Sequence, residues 1–159
     1  MLLDKLFTEY ASSHQDKRNI LTHFIGIPLI IYALFVFLSQ LPIVGLFTLA
    51  EVLLIGASSF YFAMDWKLAT PMLGVSVILD VLARLTPFWW IGLIAFIAGW
   101  ALQLIGHSVF EHKSPSFLNN LIHLLVGPLF ILNEVLKVHA IKELEDVQKD
   151  SDSDRPNRA

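Results

Sequence analysis

Cysteine is absent from this chain, which excludes disulfides, thiolate nucleophiles, iron–sulfur clusters and cysteine-type zinc sites together. Any metal must therefore be held through nitrogen and oxygen. Charge is scarce too: only 16% of the 159 residues are charged, and 11 Lys and Arg against 14 Asp and Glu leave a net charge of -3. With no basic cluster, the electrostatic footprint of a nucleic-acid-binding protein is missing, and nucleic acid is not an expected partner. What is abundant is apolar surface. A hydrophobic content of 55% and a mean hydropathy of +0.64 exceed what a soluble domain of this size carries. The expected class is an all-α integral membrane protein, without an internal repeat or a soluble second domain.

Four stretches, at about residues 20–38, 43–63, 68–83 and 87–106, are apolar enough to be read as membrane spans, since about 20 helical residues cross the hydrocarbon core. The third, which carries Asp80, is short. Ahead of them Leu2, Leu3, Leu6, Phe7 and Tyr10 recur at helical spacing opposite Asp4, Lys5 and Glu9, as expected of a helix lying in the membrane interface. Ser12 and Gln15 have the spacing of a capping box that would start the next helix. Residues 117–136 read as a broken C-terminal segment, interrupted by Asn119, Asn120, Gly127-Pro128 and Asn133-Glu134, that dips into the membrane and returns; a fifth full span is the alternative. Residues 1–141 are thus expected to form one membrane-embedded domain and 142–159 a charged, disordered tail. The late start of the first apolar run argues against a cleaved signal, so the N-terminus is expected to be retained. Lys5, Lys17, Arg18, Lys67 and Lys113 fall on one side of a four-span layout and Arg84 on the other. That side is expected to face the cytoplasm, in a bacterial inner membrane or the endoplasmic reticulum, with Trp66 at the inner boundary and Trp89 and Trp90 at the outer one.

Ionisable side chains at membrane depth are expensive, which makes them functional candidates. Trp100, Gln103, His107 and Glu111 fall at i, i+3, i+7 and i+11 and form one stripe of a helix. Asn19, His23 and Gly26 form another, and Gly26 lets a neighbouring helix come close. The span count puts His23 and His107 at the same face, where the stripes offer imidazole and carboxylate ligands for iron, zinc or manganese. On unbroken helix His14 would point about 180° away from His23. A break near Ser12 and Ser13 would let it fold under the bundle. Glu111 is either a ligand or the acceptor that orients His107. For Asn19 and Gln103 a helix–helix hydrogen bond fits the spacing as well as a substrate contact does. Glu51 and Asp80 read as buried partners of Arg84, and His112, His123 and His139 as surface histidines.

Three strings carry a family resemblance: YASSHQDKRNILTHFIGIP (Tyr10 to Pro28), WALQLIGHSVFEHKSPSFLNNL (Trp100 to Leu121) and GPLFILNE (Gly127 to Glu134). They resemble the membrane family that contains the fungal 2-hydroxy fatty acid dioxygenase of phytosphingosine breakdown. The matching positions are His14, Asn19, His23, Gly26, Pro28, Gln103, Gly106, His107, Glu111 and Pro115, spread over nearly the whole chain. One departure is the loop from Glu111 to Pro115, where relatives tend to carry a small residue and then Arg.

The resemblance implies an Fe(II)-dependent, membrane-bound dioxygenase of fatty-acid α-oxidation. With O2 it removes the carboxyl carbon of a 2-hydroxy acyl chain as CO2 and leaves an acid one carbon shorter. His14, His23 and His107, with Glu111, are the implied metal set. Asn19 or Gln103 would hydrogen-bond the 2-hydroxyl, Lys17, Arg18 or Lys113 would attract the carboxylate, and Glu134 would serve as an outer acceptor if the last segment re-enters. Two other classes use the same residues: a membrane haem protein with His23 and His107 as axial ligands, and a non-enzymatic scaffold or transporter that needs the polar stripe only for packing or conduction. Zinc in place of iron would point to hydrolysis.

Overall fold

The structure is a computed structural model that describes residues 2–112 and 120–139. Within these residues the chain is mostly helical: α1 (Leu2–Ala11), α2 (Lys17–Leu38), a two-stranded hairpin (Pro42–Val44 and Phe47–Thr48), α3 (Leu49–Met64), α4 (Trp66–Leu85), α5 (Trp89–Ile105) running on into a π-helical stretch (Gly106–Glu111), and α6 (His123–Leu136). Lys113, Pro115, Asn119 and the tail from 142 to 159 lie outside the described residues.

Among the described residues three helices are long and apolar enough to cross a membrane: α2, α4, and α5 with its π-helical extension. The second expected span differs. Pro42 and the left-handed Gly45 (φ 56°) turn the chain into an antiparallel hairpin, so α3 begins only where a capping box permits. There the Glu51 carboxylate accepts from the Thr48 backbone N–H at 2.6 Å, while the Thr48 hydroxyl accepts from the Ala50 N–H at 3.2 Å. At 16 residues α3 rises about 24 Å, against a hydrocarbon core of about 30 Å. Conversely, the third segment is not short. Asp65 caps α4 by accepting from the Leu68 N–H at 3.0 Å, and the helix runs 20 residues.

Helix α1 has the expected amphipathic pattern, but its apolar stripe faces protein. Leu3, Leu6, Phe7, Tyr10 and Ala11 join Tyr61 of α3, Leu68 and Met72 of α4, and Leu129 and Phe130 of α6 in one buried cluster, with Phe7 edge-on to Phe130 at 5.8 Å. Gly127-Pro128 does not break α6. The helix carries Pro128 in its interior and runs on to Leu136, and the missing Cβ of Gly127 admits the Tyr10 side chain. At 14 residues α6 rises about 21 Å, shorter than a full crossing.

Helices α2 and α5 pack antiparallel through small residues. A Cβ on Gly26 would stand 2.9 Å from the Gly99 carbonyl oxygen, one on Gly99 would stand 2.7 Å from the Ile30 side chain, and one on Gly92 would stand 2.8 Å from Val36. Because lipid is as apolar as a helix face, this close backbone approach is what holds such helices together. The pairing brings the start of α2 to the end of α5. At the opposite end Arg84 bonds Asp80 at 3.0 Å and pairs with Glu51, as the sequence suggested.

Candidate metal centre

Three histidines meet at the end of the bundle where α2 begins and α5 ends. His14, His23 and His107 are all buried, and their ligand nitrogens lie within 4.8 Å of one another. The expected break that delivers His14 exists, although its cap is Asp16 and not Ser12. The Ser12 hydroxyl instead closes α1 by donating to the Glu9 carbonyl at 2.7 Å, and the Asp16 carboxylate accepts from the Arg18 N–H at 2.8 Å to start α2.

Each imidazole uses its two nitrogens differently. His14 Nδ1 stands 2.7 Å from the Tyr10 carbonyl oxygen, and His23 Nδ1 stands 2.9 Å from that of Asn19. A carbonyl can only accept, so both Nδ1 atoms carry the proton and both Nε2 atoms present bare lone pairs. Those lone pairs converge: His14 Nε2 is 3.0 Å from His23 Nε2, which is 3.2 Å from His107 Nε2. Acceptors at this distance repel unless a cation lies between them. Burial, and then the neighbouring His23, hold the His14 imidazole well below its usual pKa, so a proton is a poor candidate for that cation.

A divalent metal fits. Nitrogens bound to one ion at about 2.1 Å and at right angles stand about 3.0 Å apart, close to the spacings observed. The second nitrogens of His14 and His23 are fixed by carbonyls, as metal-ligating histidines usually require. The same spacing leaves no plane for a porphyrin between His23 and His107.

The turn bearing His14 is fastened to the π-helical end of α5. Glu111 Oε1 accepts from the Asp16 backbone N–H at 2.7 Å, and the Arg18 guanidinium lies 4.6 Å from the centre of the Phe110 ring. Glu111 therefore stands outside the histidine group, and His107 Nδ1 has no hydrogen-bond partner among the described residues. Residues 106–111 wind as a π-helix, and the Glu111 carboxylate is taken up by the Asp16 N–H.

Asn19 is fully buried, with its amide N–H₂ reaching the Ser13 carbonyl at 3.4 Å and its Oδ1 lying against Gly106, where a Cβ would collide. Gln103 is buried, and its Nε2 has no hydrogen-bond partner among the described residues. Glu134 pairs with Lys137 at 2.8 Å and is not one of the histidine group. His112 is exposed and ends the π-helical stretch in a left-handed conformation.

Two histidines read as surface groups are not. His139 bonds Asp65 at 3.2 Å, and its backbone is clasped by the Asn133 side chain at 2.8 and 3.0 Å. His123 is buried, edge-on to Tyr10 at 5.9 Å and 3.6 Å from Glu9. Tyr10 in turn stacks flat on His14, with ring centres 3.9 Å apart. The stripe logic that selects Gln103 and His107 also selects His123, with Gly127 one turn further along.

Beside the three imidazoles a cavity of about 330 Å³ runs between α2, α5 and α6, within the usual range of small-molecule sites. Its polar groups gather at one end, where Tyr10, His23, Gln103, His107 and His123 meet, and the remaining wall is aliphatic and aromatic.

Comparison with known proteins agrees with this geometry. The family model described as 2-hydroxy-palmitic acid dioxygenase Mpo1-like matches residues 2–139. The chain is 35% identical over 135 residues to the 2-hydroxy-palmitic acid dioxygenase MPO1 of Saccharomyces cerevisiae, covering 80% of this chain and 75% of that protein. No solved structure matches it significantly. A resemblance first carried by scattered His, Asn, Gly and Glu positions thus extends over almost all the described residues, and the chain belongs to the 2-hydroxy-palmitic acid dioxygenase Mpo1-like family.

Proposed function

We propose that this protein is a membrane-embedded, Fe(II)-dependent dioxygenase that shortens 2-hydroxy fatty acids by one carbon. The observation that carries the reading is the convergence of three buried Nε2 atoms, at 3.0 and 3.2 Å, beside an apolar cavity. Family membership and the MPO1 relative's named activity support the same chemistry.

The reaction balances without a further reductant: R–CH(OH)–COOH and O2 give R–COOH, CO2 and H2O. O2 accepts four electrons, three from C2 and one from C1. Iron held by His14, His23 and His107 would supply open coordination positions and redox chemistry toward O2. The protein's own groups do the rest. Tyr10 and Asn19 carbonyls hold the His14 and His23 rings in one tautomer. Gln103 Nε2, buried without a partner on the cavity wall, donates to the substrate's hydroxyl or carboxylate. Asn19 and Glu111 act by positioning, the first against Gly106 and the second on the Asp16 N–H. The aliphatic wall takes the alkyl chain and keeps water from the reacting end.

Lys5, Lys17, Arg18 and Lys67 lie at the histidine end and Arg84 at the other, which favours a cytoplasmic site by the distribution of basic residues. Purified protein assayed in an oxygen electrode with 2-hydroxypalmitate should consume O2 and release CO2 in equal amounts with no added reductant. Absence of O2 uptake by iron-loaded protein would overturn the reading.

A further inference from the structure

We propose that Leu34 and Phe96 form the end wall of the acyl cavity and so set the chain length it accepts; this rests on reading the cavity as the acyl site. On α2 the cavity wall runs from His23 to Leu34, and on α5 from His107 to Phe96. The helices are antiparallel, with Gly26 against Gly99 and Val36 against Gly92. Leu34 and Phe96 therefore share one level, eleven residues from His23 and from His107 respectively. At about 1.5 Å per residue, both helices give about 16 Å from the metal end to this level.

Among the described residues neither helix contributes to the cavity wall beyond this level. There the Val36 side chain fills the space against Gly92, where a Cβ would stand 2.8 Å away, and Phe37 packs edge-on to Phe96 at 6.1 Å. An extended alkyl chain advances about 1.3 Å per carbon, from a C–C bond of about 1.5 Å at the tetrahedral angle. The cavity thus holds about twelve carbons past the reacting end.

The test compares turnover and binding of straight-chain 2-hydroxy acids of ten to twenty carbons in wild type, Leu34→Trp, Ile30→Trp and Phe96→Ala. Leu34→Trp should lower turnover of the sixteen-carbon acid by roughly tenfold or more, by the selectivity of apolar pockets for methylenes, and leave the twelve-carbon acid within a few-fold of wild type. Ile30→Trp, about one turn nearer the metal, should shift the optimum to still shorter acids, and Phe96→Ala should shift it to longer ones. Turnover with an unmoved profile, or equal loss at every length, overturns the end wall and leaves the oxygenase reading intact. Binding that shifts with the variants but without turnover in any protein supports the end wall and overturns the oxygenase reading. Neither binding nor turnover in wild type overturns both.

Discussion

The inner faces of His14, His23 and His107 are useful only because their outer faces are occupied or walled. The carbonyls of Tyr10 and Asn19 fix the protons of two rings, and Tyr10 adds a stacked face against His14. Glu111 is the informative neighbour. If it works by accepting from the Asp16 N–H, Glu111→Gln keeps an acceptor oxygen and should retain iron within about twofold, while Glu111→Ala should weaken iron binding by roughly 10–100-fold, the usual range for outer partners of metal ligands. Equal loss in both variants would make the carboxylate a ligand. Gln103→Leu should keep iron while lowering kcat/KM for 2-hydroxypalmitate by at least about tenfold; unchanged kinetics would remove Gln103 from substrate binding. That His14, His23 and His107 come together was legible from spacing and resemblance. The position of Glu111 was not, because it depends on where the Asp16 N–H of the distant His14 turn comes to rest, and neither was the burial of His123, which depends on where Tyr10 comes to rest.

Helix ends and helix contacts decide whether those side chains meet. Gly106 opens the π-helical stretch, and a methyl group there would strike Asn19 Oδ1 and Thr22 Oγ1. Gly106→Ala should cost about 1–3 kcal/mol in stability and also loosen iron; a variant with wild-type melting and full iron would contradict this packing. Asp65 both caps α4 and binds His139. Burial alone would raise its carboxyl, but the N–H groups of Leu68 and Lys67 and the His139 ring hold it below its ordinary value. A depressed carboxyl stabilises above the unfolded value of about 3.9 and loses that contribution as pH falls through its folded value. The melting temperature of wild type should therefore drop more steeply below about pH 4 than that of Asp65→Asn; parallel curves would exclude Asp65. At this scale the apolar runs located α2, α4 and α5 well. The hairpin was missed because Ile43, Val44 and Leu46 are as apolar as any span. Pro42, Gly45 and the Thr48–Glu51 capping pair were the local signals that marked it.

Across the whole molecule, chemistry is divided between two ends: three histidines with most of the described basic residues at one, and the Arg84, Asp80 and Glu51 cluster at the other. The cavity joins the first end to the middle. Because the chain has no cysteine, single substitutions report topology directly: in intact cells or sealed vesicles Lys17→Cys should react with an impermeant maleimide from the side opposite Leu46→Cys. Reaction from the same side would refute an α2 that crosses. The account depends above all on one ion shared by three imidazoles from separate stretches of chain. Its most direct test is iron content after anaerobic loading, wild type against His14→Ala, with helicity checked by circular dichroism. One iron per chain in wild type and under a tenth of that in folded His14→Ala is the expected result; full iron in His14→Ala would contradict the account.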